Sequence, residues 1–275
     1  MVVSLRDDTA GVRLIKPKKS VVVHNFAIEK LEQTGRFVLF LGQVVRYTFK
    51  RPVRVRLYLE QMEKIGVDSV PIIALSSLAI GMIFALQMIS FLQPFRAEIA
   101  TGSAVALSMA REFAPVVTTL MLIARSGSAM AAELGSMKVT EQLDAMETMS
   151  VEPIHYLVVP RVIASLLMFP MLTLLANVVG VLGAFFIATG AYELEAATYL
   201  AHMFRDLRPT DVYSGLIKAA VMGVIVSTIC TYHGLHSLSG ARGVGESSTH
   251  AVVASSVSIL IADYLMATVM MAVMY

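Results

Sequence analysis

The chain has 275 residues, a formal net charge of +2, 56% hydrophobic residues and only 15% charged ones. A soluble protein of this length carries roughly a quarter charged residues. The deficit, with apolar residues gathered in long runs, excludes an ordinary soluble domain and points to an all-α, polytopic membrane protein built as one bundle.

The sequence divides into a cytoplasmic or interfacial N-terminal region, residues 1–66, and a transmembrane domain, residues 67–275. Cations dominate the first region, from Arg6 and Arg13 through Lys16, Lys18 and Lys19 to Arg54, Arg56 and Lys64, against few acids. The positive-inside bias therefore predicts a cytoplasmic N-terminus. A nucleic-acid-binding use of these charges is set aside because a hydrophobic bundle follows at once. Residues 1–24 read as a flexible polar lead without a cleavable signal peptide, so the first span is expected to act as its own insertion signal. Residues 26–50 read as an amphipathic helix. Phe37, Phe40, Leu41, Val44 and Val45 share one face, and Arg36, Arg46, Lys50 and Arg51 flank it. Such a helix lies either in the headgroup plane with its cations on anionic lipid, or packed against the bundle. Pro52 ends it.

Five spans follow. The first runs from about Val70 to Phe95, without charge between Asp68 and Arg96. The second, Ala104 to Ala124, is interrupted by Arg111-Glu112. A long uncharged third span, Val162 to about Tyr192, must tilt, kink near Pro170 or project. Polar residues 193–211 precede a fourth span, Val212 to Thr231, which contains Lys218. A Gly/Ser-rich loop from His233 to His250 precedes the fifth, Val252 to Met274, which contains Asp263. Between the second and third spans lies Ala131 to Glu147, a predicted amphipathic helix. Val139, Leu143, Met146 and Met149 lie on one side, and Glu133, Glu141, Asp144 and Glu147 on the other. It is either a solvated loop helix or a docking element for a cytoplasmic partner.

Chemistry-bearing motifs are few. No G-x-x-x-x-G-K-[ST] string occurs, so the chain does not carry that type of ATP motor. Neither a zinc-hydrolase nor a nucleophile-elbow pattern is present. Cys230, the single cysteine, gives redox or metal chemistry no support, and neither a metal nor a cofactor is expected in this chain. In the first span Phe84, Met88, Phe91, Leu92 and Phe95 form a bulky stripe, which is core, lipid-facing surface or a site lining. Charges inside spans are costly and are functional candidates by default. Asp211 and Lys218, two helical turns apart, share a face.

Long strings resemble the permease subunit of the MlaE/YrbE family of ABC-type lipid transporters, which work with MCE-domain proteins. They are Ala106-Leu107-Ser108-Met109-Ala110-Arg111-Glu112-Phe113-Ala114-Pro115-Val116, Ala124-Arg125-Ser126-Gly127-Ser128-Ala129, Ala132-Glu133-Leu134-Gly135-Ser136-Met137, Thr140-Glu141-Gln142, Val151-Glu152-Pro153 and Pro160-Arg161. The likeness runs from about residue 66 to the C-terminus. It implies a phospholipid permease in a cell inner membrane, acting as a homodimer. An ABC ATPase dimer that uses ATP would sit on the cytoplasmic side and an MCE-domain hexamer on the periplasmic side. The resemblance places Phe84, Phe91, Leu92 and Phe95 around a lipid cavity, with Phe95 at a tyrosine-type position. It brings Arg111, Glu112, Asp211 and Lys218 near that cavity. There they either hold a lipid phosphate or neutralise one another as two static pairs. Glu133, Glu141, Asp144 and Glu147 would couple to the ATPase. Two other readings remain: a proton-driven secondary transporter using Asp263, Asp211 and Glu112, and a scaffold that moves no lipid.

Overall fold

The computed structural model describes residues 19–50, 54–238 and 240–274. Most of the polar lead, including Lys16 and Lys18, lies outside them, as do Arg51 and Pro52. Among the described residues every regular element is helical and there is no strand. The chain forms two compact units, residues 1–42 and 43–275. In the first, the described residues belong to α1 (Lys19–Thr48), which starts earlier than the periodicity predicts and exposes Val38 and Leu39.

The second unit holds α2 (Val55–Ile65), α3 (Val70–Leu92), α4 (Thr101–Ser108), α5 (Ala114–Leu122), α6 (Ser128–Val139), α7 (Gln142–Thr148), α8 (Val159–Gly190), α9 (Ala196–Asp206), α10 (Pro209–Leu235) and α11 (Gly240–Met274). Several are joined end to end by single tight or wide turns. Five stretches are long and apolar enough to cross a bilayer: Val55–Phe95, Glu98–Val139, Ile154–Gly190, Pro209–Leu235 and Gly240–Val273. This is a multi-pass, all-α membrane protein.

Three boundaries differ from the sequence reading. The second span continues as one helical stretch from Glu98 to Val139, absorbing the first half of the expected acidic helix. The polar segment 193–211 contains α9, anchored by the buried Tyr199 and Met203. The Gly/Ser-rich segment is a loop only as far as residue 238, after which α11 begins at Gly240, whose φ of +86° suits glycine. Its small residues serve packing: a Cβ at Gly243 would strike the Leu238 carbonyl, and Gly135 of α6 lies against Ser237 and Val244. In lipid, where burial of apolar surface does not drive helices together, such close approach is a main source of cohesion.

The same device sets the core. A Cβ on Gly81 of α3 would collide with the Gly180 carbonyl of α8, and one on Gly215 of α10 with the Ala110 carbonyl. These glycines bring α3 onto α8 and α10 onto the second span. Helix α8 runs unbroken through Pro170 for 32 residues, about 48 Å at 1.5 Å per residue. It therefore exceeds the hydrocarbon thickness and projects or tilts.

Three wide π-helical turns interrupt the spans, at Met109–Phe113, Ile123–Gly127 and Ile154–Val158. Such turns insert an extra residue and redirect neighbouring side chains, often at functional positions. The first two carry Arg111-Glu112 and Arg125.

Candidate functional site

The turn Met109–Phe113 sends three consecutive side chains to two different helices, Arg111 and Glu112 to α10 and Phe113 to α3. Arg111 reaches α10, where its Nη2 lies 2.7 Å and its Nε 2.9 Å from Oδ1 of Asp211. Asp211 is fully buried, and its Oδ2 accepts the backbone N–H of Arg208 at 2.9 Å, capping the start of α10. Glu112 accepts a 2.6 Å hydrogen bond from Nζ of Lys218. Phe113 stacks on Phe84 of α3, with ring centroids 4.9 Å apart.

Lys218 is 2% exposed and also lies 3.2 Å from Oδ1 of Asp263 on α11. That contact is charge to charge, because Oδ1 receives no hydrogen bond. Asp211 and Lys218 do share the face that their spacing predicts, yet each serves a different partner on the second span. The group therefore holds two cations and three carboxylates within an apolar bundle. An unpaired ion there costs several kcal/mol, and each of these faces an opposite charge. Asp263, grouped in the sequence with Asp211 and Glu112 only as a proton relay, pairs inside the bundle with Lys218.

The cluster is not sealed. The Arg111 side chain is 34% exposed and that of Glu112 49%. Both line a small recess with Ser214 and Lys218 of α10 and Ala267, Met270 and Met271 of α11. Helix α11 packs on α10 and α6 but leaves Val257, Ile261, Tyr264 and Leu265 uncovered. The bulky stripe of α3 is split. Phe84 and Met88 pack against the core, whereas Phe91 and Phe95 are 66% and 71% exposed, with ring centroids 6.2 Å apart. Leu92 is half-buried between them. Phe91 is exposed within α3 itself, and Gln93–Phe95 form a tight 3-10 turn that carries Phe95 off the α-helical register.

At the other end of the bundle the expected acidic helix is broken. The second span ends at Val139, and Glu141 adopts a left-handed φ of +56° before α7 begins. Only α7 is two-faced. Leu143 and Met146 pack with Leu134, Leu157 and Leu235, while Glu141, Asp144 and Glu147 are exposed. Val139 and Met149, expected to share the side of Leu143 and Met146, are exposed: Val139 precedes the break and Met149 lies just past the end of α7. Glu133 stands apart from the other three. Its Oε2 accepts from Nη2 of the buried Arg161 at 2.7 Å, and its Oε1 lies 3.3 Å from Nζ of Lys64. Arg161 and Lys64 were not singled out as site residues, although Pro160-Arg161 belongs to the strings that carry the family resemblance.

Among the described residues no group of His, Cys, Asp and Glu is arranged to hold a metal ion.

Comparison with known proteins agrees with this architecture. The family model described as Permease MlaE matches residues 58–269. A probable ABC transporter permease protein of Rickettsia felis is 40% identical over 238 residues, 86% of this chain and 92% of that protein. The intermembrane phospholipid transport system permease protein MlaE of Haemophilus influenzae is 35% identical over 215 residues, 78% of this chain and 82% of its own length. The chloroplastic protein TRIGALACTOSYLDIACYLGLYCEROL 1 of Arabidopsis thaliana is 38% identical over 230 residues, 83% of this chain and 66% of its own.

Proposed function

From the chain's membership of the MlaE permease family, we propose that this ABC-type permease subunit moves glycerophospholipids between an inner membrane and an MCE-domain partner. The chain itself is no ATPase; ATP binding and hydrolysis belong to a separate subunit. In the proposed assembly two copies of the permease pair, an ATPase dimer docks on the cytoplasmic side, and an MCE hexamer sits on the opposite side. The N-terminus is cytoplasmic.

One observation carries the reading: Arg111 and Glu112 are partly exposed at hydrocarbon depth. Their neighbour Phe113 stacks on Phe84, deep in the uncharged run of α3. Charges facing acyl chains are expensive, and polar groups there line a water-filled or ligand-holding cavity instead. A second copy packed over these exposed groups would enclose Arg111, Glu112, Phe91 and Phe95 together. Arg111, with its planar fork, is suited to a phosphodiester. Lys218 and Asp211 are buried behind the two reachable charges and orient them. Closing the ATPase dimer would press on α7 through Glu141, Asp144 and Glu147 and reshape the cavity.

The test is photo-crosslinking in the reconstituted complex. A photoreactive residue at Phe91 should capture phospholipid, and one at the lipid-facing Leu167 of α8 should do so far less. ATP depletion should stop lipid transfer, and collapse of a proton gradient should not. Equal labelling at the two positions, or transfer that follows the proton gradient, would remove the reading. Absence of lipid from a purified, intact dimer would favour a scaffold.

A further inference from the structure

A second polar cavity lies far along the same span. It has a volume of about 380 Å³ between α2 and α6, and it is lined by Gln61, Lys64, Asp68, Arg125, Ser126 and Glu133 among others. We propose that it binds the headgroup of a zwitterionic phospholipid, with the phosphate on Arg125 and Lys64 and the ammonium on Asp68. The inference needs only that the chain spans a membrane, and it stands or falls separately from lipid transport.

Three features support it. The first is depth. Asp68 is the last charge before the uncharged run of α3, so the cavity sits where hydrocarbon gives way to headgroups. The second is the surface that continues from it. Ile72, Leu75, Ile83 and Leu86 follow Asp68 at helical spacing, all exposed and apolar, forming a track for acyl chains beneath a headgroup.

The third is the quality of the ion pairs. Charge-assisted bonds settle at about 2.7–2.9 Å. On the side away from the cavity Arg161 meets Glu133 at 2.7 Å. The pairs facing the cavity are slack: Lys64 to Glu133 is 3.3 Å and Arg125 to Asp68 is 3.4 Å. Arg125 is held instead by Nη1, which donates to Ser69 Oγ at 2.7 Å and to the Lys64 carbonyl at 3.1 Å. Its Nη2 edge therefore faces the cavity with a weak partner. A phosphate taking that edge would release Asp68 to receive the ammonium. A purely anionic headgroup would leave Asp68, displaced from Arg125, beside the phosphate with nothing to offset it, whereas Glu133 keeps Arg161.

The experiment uses the full chain in nanodiscs of equal parts phosphatidylethanolamine and phosphatidylglycerol. The probe is phosphatidylethanolamine bearing a diazirine near the glycerol, and labelled peptides are mapped by mass spectrometry. Labels should fall on residues 61–75 and 125–133, and unlabelled phosphatidylethanolamine should compete better than phosphatidylglycerol. Arg125→Gln should lower labelling roughly tenfold, the size of one charge-assisted contact. Asp68→Asn should abolish the preference between the two lipids. Because Arg125 also braces Ser69, Ala129→Phe provides a second variant that fills the cavity and leaves every charge in place; it too should suppress the labels. Labelling unchanged in folded Ala129→Phe, or a lipid preference unchanged in Asp68→Asn, overturns the proposal. Displacement of the probe by free phosphoethanolamine as readily as by the lipid would assign the cavity to soluble phosphoesters and also overturn it.

Discussion

Lys218→Met tests whether the buried charge group is a structural unit. Methionine keeps the length of the lysine stem and removes the charge. Lys218 is 2% exposed, and its two carboxylate partners differ: Asp263 is 17% exposed and Glu112 49%. Removing one partner of a buried ion pair costs about 3–5 kcal/mol, because the other charge is left uncompensated. Glu112 is exposed enough to be hydrated, so its share is small. Asp263, the more buried of the two, bears most of the loss. The expected destabilisation is about 3 kcal/mol, or a fall in unfolding temperature of roughly 6–12 °C for a chain of this size.

The second variant makes the reasoning refutable. Adding Asp263→Leu replaces the stranded carboxylate with an apolar side chain of similar volume. Such replacements of a buried pair are near neutral or better, so the double variant should regain most of the lost stability. Thermal unfolding of the detergent-purified protein, followed by loss of the folded species on size exclusion, reads both. A single variant within about 1 kcal/mol of the parent, or a double variant no more stable than the single, would show that Lys218 and Asp263 do not act as a buried pair.

Three further outcomes follow from the packing. Tyr199→Phe should be neutral or stabilising by about 1 kcal/mol in thermal unfolding. Burial pushes this phenol up to about 12, and among the described residues its hydroxyl has no hydrogen-bond partner. Gly81→Ala should destabilise by about 1–3 kcal/mol, as overpacking does, because its Cβ would strike the Gly180 carbonyl; unchanged unfolding would mean that α3 and α8 do not meet there. Glu141→Lys with Asp144→Lys should leave stability within about 0.5 kcal/mol, since both are exposed, while abolishing co-purification of the ATPase subunit; an intact complex with normal turnover would remove the coupling role of α7.

The spans were legible because hydrocarbon imposes long apolar runs on any helix that crosses it. Arg111, Glu112, Asp211 and Lys218 were legible as a group through the family strings and the cost of charge in lipid. Pairing was one of the two expected outcomes, but which charge meets which was not legible. A regular helix gives no reason for adjacent residues 111 and 112 both to reach α10 while 113 reaches α3, and the π-helical turn that does so has no compositional mark. The break at Glu141 was hidden for a similar reason: no glycine or proline announces the left-handed residue. The segment after His233 misled in the opposite direction. In water its glycines and serines read as a loop, whereas between packed helices the same small residues permit contact. Where lipid removes the hydrophobic contrast, small side chains signal proximity rather than disorder.

The two charged groups on the second span differ in a way that bears on what each can do. Around Arg111 the bonds are short, 2.6 Å for Lys218 to Glu112 and 2.7 Å for Arg111 to Asp211, and the buried partner stands behind the exposed one in each case. Asp211 is itself fixed by the Arg208 backbone, and Lys218 by Asp263. Arg111 and Glu112 therefore have their orientations set from within the bundle, independent of any ligand. A phosphate approaching Arg111 would meet a guanidinium already aligned, which lowers the ordering cost of binding. Around Arg125 the pairs facing the cavity are long, and the guanidinium is positioned by Ser69 and a carbonyl rather than by a carboxylate. That group can change partners without stranding a buried ion. One end of the span thus offers a fixed contact and the other an exchangeable one. A chain that holds a lipid at one level and admits or releases it at another needs both.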